Sequence, residues 1–221
     1  MSKKIFCNLS KSRALKEVWA KQKQKGSFKG SDEELMLSFR NGDEISFEIL
    51  YHRHEKPLFN FLCRLVMNAA EAESLCQEAF YRLVRAKKNY EATASFKTWL
   101  YQIAVNLCQD RKRRMKHRSH RSLDSHASYR QDEEVTLQEL IPNPSADLDT
   151  HVETAELEFF VQEAISRLPE DEKLVVILRE YQGLKCSEIA DIIGCPIGTV
   201  KSHNHRAHER LRKSLAKYLG D

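Results

Sequence analysis

Ser187-Glu-Ile-Ala-Asp-Ile-Ile-Gly-Cys-Pro-Ile-Gly-Thr-Val-Lys-Ser202 holds two short apolar-periodic halves on either side of Gly194 and Pro196. Ser187 can cap a first helix, and Ala190 is small enough to let a second helix cross it closely. Gly194 supplies the left-handed residue that stops the first helix. A new helix begins after Pro196 with Val200 facing inward. A small residue, a glycine four later and an aliphatic six after that is the spacing of a DNA-binding helix-turn-helix.

Continuing the helical period, Val200, Ala207 and Leu211 share the core side, which turns Thr199, Ser202, His203, Arg206 and Arg210 outward, flanked by Lys201 and His205. The outward stripe is the candidate major-groove face: its first residues are placed for base edges and Arg210 for phosphate. From Pro196 onward six Lys or Arg oppose only Glu209 and Asp221. Asn204 breaks the pattern, because its position calls for an apolar residue. His203, His205, His208, Cys186 and Cys195 do not form a metal motif, since residues two apart on a helix diverge. No metal and no cofactor are expected.

Outward from this motif the chain reads as helical throughout. Its 221 residues include only 7 glycines and 5 prolines, and 31% are charged, a composition that favours helix over sheet. The fold class expected is all-α, with two small helical domains joined by a flexible acidic linker: a basic extension over 1–30, a helical bundle over 31–114, the linker over 115–153 and the helix-turn-helix unit over 154–221. In the bundle, Ser31 can cap a helix carrying Leu35, Met36 and Phe39 that ends at Asn41-Gly42. A longer helix follows, with a kink or break expected near Pro57. Two more run from about Glu71 to Arg85 and from about Ser95 to Arg114, separated by the polar loop Ala86 to Thr93. Breaks in the last unit fall at Leu168-Pro169, Gln182-Gly183 and Gly194-Cys195-Pro196.

Charge is segregated although the formal net charge is only +4. Residues 1–29 hold nine Lys or Arg against Glu17, residues 106–121 hold seven against Asp110, and residues 122–158 hold ten acids against Arg130. Such blocks suit a protein that touches nucleic acid with some parts and keeps another away from it. The first block reads as a solvated tail. No apolar run approaches a membrane span or a signal peptide, so a cytoplasmic location is expected. Six dispersed cysteines without a C-x-x-C pair argue against a zinc ribbon or a disulfide framework.

The bundle carries its own nucleic-acid signal. In the helix beginning near Ser95, Phe96, Trp99, Leu100, Ile103, Ala104 and Leu107 mark a buried face, while Gln102, Asn106, Gln109 and Arg113 form a polar stripe. The preceding Lys87, Lys88, Asn89 and Tyr90 combine cations, an amide and an aromatic ring, the groups that hold an unstacked base.

Taken together these segments resemble the extracytoplasmic-function sigma factors, a compact group with the two domains called sigma2 and sigma4. Leu168-Pro-Glu-Asp-Glu-Lys173, Leu178-Arg-Glu-Tyr-Gln-Gly-Leu184 and Gly198-Thr-Val-Lys-Ser202 followed by Arg206-Ala207 are similar to sigma4. Glu73-Ser-Leu-Cys-Gln-Glu-Ala-Phe80 resembles the sigma2 segment that docks on the clamp of the polymerase largest subunit, and Phe96 to Arg111 resembles the minus-ten reading helix. The resemblance covers about 31–217. It implies a non-enzymatic initiation factor that binds core RNA polymerase through Glu73, Gln77, Glu78 and Phe80. It further implies minus-ten contacts by Lys87, Lys88, Asn89, Tyr90, Gln102, Asn106, Gln109 and Arg113, and minus-thirty-five contacts by Thr199, Lys201, Ser202, His203, His205, Arg206 and Arg210. It also implies a linker that threads the polymerase channel and an anti-sigma factor as partner. The chain departs from the family pattern at Ser74, usually an acid, at His203, usually an arginine, and at Asn204, usually aliphatic.

The last unit alone would equally fit a helix-turn-helix repressor or activator; the bundle's motifs favour the sigma reading. An enzyme is disfavoured, since there is no P-loop, no H-E-x-x-H and no nucleophile elbow.

Overall fold

The computed structural model describes residues 30–92, 94–121 and 151–219, and within these every regular element is helical. The basic extension and most of the acidic linker lie outside the described residues.

Helix α1, Asp32–Arg40, starts at Ser31, whose Oγ accepts the Glu34 N–H while the Glu34 carboxylate accepts the Ser31 N–H. This reciprocal cap satisfies two N–H groups that the first turn leaves free. Helix α2, Glu44–Val66, runs without interruption through Pro57, so of the kink or break expected there the break is absent. The helix is anchored on both sides of the proline by Leu50, Leu58, Phe61 and Leu62, all fully buried. Burial of those four side chains, each contributing about 1.5 to 3 kcal/mol, outweighs the lost backbone hydrogen bond.

Helix α3, Ala69–Ala86, is capped by Asn68, whose Oδ1 accepts the Glu71 N–H at 2.8 Å. A 3-10 turn over Lys87–Asn89 follows. Helix α4 then spans Phe96–Arg121, seven residues beyond the expected end at Arg114 and into the stretch read as linker. Rings stitch the four helices together: Phe39 stacks on Phe47 at 4.7 Å, Tyr51 meets Phe80 at 4.7 Å, and Phe61 meets Tyr101 edge-on at 5.0 Å.

The second unit comprises α5, His151–Ser166; α6, Glu170–Val176, which passes into a π turn over Ile177–Tyr181; α7, Cys186–Ile193; and α8, Ile197–Leu219. Lys185, not Ser187, stands at the N-cap of α7, and the Glu188 carboxylate accepts the Lys185 N–H at 2.8 Å. Gly194 ends α7 in the left-handed conformation at φ 76°, as the sequence predicts. Val175, Ile177, Leu178, Ile189, Val200 and Ala207 are fully buried between these helices.

The two units pack against each other, with α7 and the π turn lying along α4 and the end of α2. Tyr101 donates from its hydroxyl to Gln182 Oε1 in a buried hydrogen bond. Lys97 Nζ donates to the Gln182 carbonyl, and the Arg64 guanidinium lies 4.2 Å over the Tyr181 ring. Lys173 is drawn into the seam, where its Nζ donates to the Leu65 carbonyl at 3.2 Å. Burial, reinforced by Lys112, lowers the Lys173 pKa.

Candidate nucleic-acid interface

Helix α8 turns its faces as the sequence predicts. Val200 and Ala207 are fully buried, while Thr199, Lys201, Ser202, His205, Arg206 and Arg210 are exposed and His203 is half-exposed. Ser202 returns its hydroxyl proton to the Gly198 carbonyl at 2.9 Å. His205 lies 4.0 Å from Glu209. Asn204 turns inward: its Oδ1 is buried without a hydrogen-bond partner among the described residues.

Arg206 and Arg210 are not simply solvated cations. Glu172, in the first turn of α6, keeps only 5% of its side chain exposed and lies beneath both. Arg206 Nε donates to Glu172 Oε1 at 3.3 Å. Arg210 Nε stands 3.0 Å from Oε2, an ion pair whose N–H is out of line for a hydrogen bond. Arg206 Nη2 is also 3.0 Å from His203 Nδ1. Glu172 falls within the Leu168–Lys173 segment, but nothing in that local pattern announces its pairing with Arg206, 34 residues away.

On the bundle, Asn106, Gln109 and Arg113 are exposed along α4. Arg113 pairs with Asp110 at 2.9 Å. Gln102, the fourth member of that stripe, is turned into the seam, where its Nε2 donates to the Asp191 carbonyl at 3.2 Å. Beside it Ser95 and Thr98 share a 2.7 Å hydrogen bond, and both reach toward the Glu188 carboxylate.

The loop before α4 differs from its reading as a polar base-holding loop. Lys88 and Asn89 are exposed, but Lys87 folds back with its Nζ 4.3 Å over the Phe39 ring. Tyr90 is only 2% exposed, its ring packs 5.0 Å from Trp99 and its carbonyl accepts from Arg40 at 2.9 Å. The hydroxyl is buried without a partner among the described residues. Tyr90 is thus a core ring in this conformation, because adjacent aromatic and aliphatic surface outweighs the cost of one unpaired hydroxyl.

On α3, Glu73 and Gln77 are exposed and joined by a 3.3 Å hydrogen bond. Glu78 is half-exposed and paired with Arg82 at 3.1 Å. Phe80 is not on that face: it is fully buried against Phe47 and Tyr51. An inward ring one helical turn beyond Gln77 anchors the docking-like surface instead of lining it.

Two family models match on these same two units, Sigma-70 region 2 over residues 50–118 and Sigma-70 region 4 over residues 161–211. The chain is 32% identical over 192 residues to the RNA polymerase sigma-H factor of Pseudomonas aeruginosa, covering 85% of this chain and 95% of that one. It is also 32% identical over 176 residues to the ECF RNA polymerase sigma factor SigW of Bacillus subtilis, covering 80% and 92%. The chain belongs to the extracytoplasmic-function sigma factors. It is therefore a transcription initiation factor and not an enzyme. The fold of this sigma factor is similar to that of Bartonella quintana RpoE, solved in complex with the anti-sigma factor NepR, at a TM-score of 0.58 and 24% identity, covering 77% of this chain and 96% of that one. None of the sigma factor's described helices is long and apolar enough to cross a membrane.

Proposed function

We propose that this sigma factor works through three separate faces, one for core polymerase and two for promoter DNA, carried by a bundle over 31–114 and a helix-turn-helix unit over 154–221. Glu73, Gln77 and Glu78 on α3 meet the clamp of the polymerase largest subunit, held in place by buried Phe80. Asn106, Gln109 and Arg113 on α4, with Lys88 and Asn89 of the preceding loop, face the minus-ten element. Gln102 joins them once its contact with the Asp191 carbonyl breaks.

Thr199, Lys201, Ser202, His203, His205, Arg206 and Arg210 on α8 face the minus-thirty-five element. The observation that carries this reading is the division of α8 into a buried side at Val200 and Ala207 and a polar, cationic side opposite. That division is the geometry of a helix laid in the major groove. The chain acts in the cytoplasm, where polymerase and promoters are. An anti-sigma factor is its natural regulator, by analogy with the Bartonella quintana complex.

Core-polymerase pull-down and run-off transcription test the division. Gln77→Ala with Glu78→Ala weakens polymerase capture, whereas Arg206→Ala leaves capture intact and lowers promoter-specific transcript. Equal capture by the double variant and the unaltered chain removes the polymerase assignment.

A further inference from the structure

Glu172 is nearly sealed from solvent, yet it is the carboxylate against which two arginines of the proposed groove-facing helix rest. A buried carboxylate is costly unless cations and hydrogen bonds compensate it. Here both compensating groups come from α8. The geometry of the pairing matters more than its strength. A guanidinium is planar and offers separate edges: one carries the Nε–H beside one N–H of the neighbouring terminal amino group, the other carries one N–H from each terminal amino group. Glu172 takes both arginines by the Nε side, at 3.3 Å for Arg206 and 3.0 Å for Arg210. Among the described residues no terminal amino group of either arginine bonds to the carboxylate; Arg206 Nη2 uses one of its two N–H groups on His203, and the two side chains remain 51% and 58% exposed.

The same orientation propagates one residue further. Arg206 has only donors, so its Nη2 at 3.0 Å from His203 Nδ1 makes that ring nitrogen the acceptor. The ring proton is then on Nε2, and His203 presents a donor rather than an acceptor from its far edge. A carboxylate at position 172 thus fixes the plane of one arginine and, through it, the tautomer of the histidine that precedes it by one turn.

We propose that Glu172 is a positioning residue for promoter reading, holding Arg206 by its Nε edge so that the terminal edge and the His203 Nε2–H meet base edges in the major groove. The proposal rests on the reading of α8 as the minus-thirty-five helix. An arginine held this way is presented for the bidentate contact with guanine O6 and N7 that gives the strongest base discrimination. Without Glu172 the same arginine would be free to swing to the nearest phosphate, which attracts it without regard to sequence. The carboxylate also offsets part of the positive charge of the face, so that discrimination gains relative to nonspecific attraction.

The test uses the full chain assembled with core RNA polymerase and a promoter library randomised across the minus-thirty-five element, with thermal melting of each variant recorded alongside. Glu172→Gln keeps the size of the side chain and removes its charge. It is expected to relax preference by about fivefold at the one base pair where Arg206→Ala also relaxes it, and to steepen the salt dependence of binding. In an Arg206→Ala background, Glu172→Gln brings no further relaxation. Arg206→Lys provides a second route if Glu172→Gln folds poorly. It keeps the charge but lacks the second edge, and it too loses the preference. Wild-type preference in Glu172→Gln, with or without a lowered melting temperature, overturns the proposal, as does wild-type preference in Arg206→Lys. If Arg206→Ala itself leaves preference unchanged, the assignment of α8 to DNA fails first and the role of Glu172 falls with it.

Discussion

Tyr101 and Gln182 meet in a buried hydrogen bond that joins the two units, the Tyr101 hydroxyl donating to Gln182 Oε1. Tyr101 is fully buried and Gln182 8% exposed, so each depends on the other for compensation. Burial pushes the Tyr101 hydroxyl pKa well up and keeps it a donor throughout the ordinary pH range. Tyr101→Phe leaves the Gln182 oxygen buried and unpaired, which is expected to cost about 1 to 3 kcal/mol. Urea denaturation of the full chain checks this. A variant as stable as the original would show that the units do not stay in contact through this pair in solution.

The bundle carries an acid-sensitive brace at its first helix. Asp32 accepts from His54 Nε2 at 2.6 Å and pairs with Arg53 at 2.8 Å. The His54 hydrogen bond is the main reason its carboxyl is held below the usual range, with Arg53 adding to it and burial opposing. A carboxylate with a lowered folded-state pKa contributes stability above its unfolded pKa and loses it as pH falls through the folded value. Asp32→Asn is therefore expected to lower stability by about 1 kcal/mol near neutrality. The gap between variant and original should close in acid, below the lowered pKa. A gap that stays constant down to pH 2, on the order of two units below the ordinary carboxylate range, would rule out Asp32 as the titrating group.

Helix faces were legible wherever the period was long and the partner near in sequence. Val200, Ala207 and Gly194 occupy the places that spacing alone assigned. Contacts across long separations were not legible. Nothing in the local pattern announces that Gln102 will donate to the Asp191 carbonyl or that Glu172 will sit beneath Arg206 and Arg210. A break at Pro57 and an exposed ring at Tyr90 fail for a shared reason. Local chemistry points to a kink or break and to a base-holding ring, and tertiary burial keeps the helix continuous and the ring inside. The segment proposed to meet polymerase was half legible: the helical repeat that exposes Glu73 and Gln77 also sends Phe80 inward, but a motif match does not distinguish a surface residue from the ring packed beneath it.

Tyr90 separates packing from base contact. Its ring fills space against Trp99, but its hydroxyl has no partner among the described residues. Tyr90→Phe removes an unpaired buried oxygen and is expected to leave stability unchanged or raise it by up to about 1 kcal/mol. Tyr90→Ala opens a cavity and costs about 3 to 5 kcal/mol. Promoter opening by the Phe variant, followed by permanganate reactivity of unpaired thymines, is expected to match the original. Lost opening with intact stability would mean that the hydroxyl leaves the core to meet DNA.

Asn204 decides whether α8 is oriented as described. It lies four residues after Val200 and three before Ala207, both fully buried, so the helical repeat directs it inward. The structure agrees: its Oδ1 is buried and unpartnered among the described residues. An unpaired buried amide oxygen costs about 1 to 3 kcal/mol, and a leucine of similar size would replace that cost with apolar burial. Overpacking sets a limit, since two methyl groups are bulkier than the amide oxygen and nitrogen they replace and must fit the same space. Asn204→Leu is therefore expected to raise the melting temperature of the full chain and leave minus-thirty-five preference unchanged, because the side chain does not belong to the outward stripe of Thr199, Ser202, His203 and Arg206. Melting and a promoter-library selection on the same preparation decide between the two orientations. A lowered or unchanged melting temperature together with lost minus-thirty-five preference would place Asn204 in the groove, where its amide pairs with an adenine edge, and would require α8 to turn about its axis relative to the arrangement fixed by Val200 and Ala207.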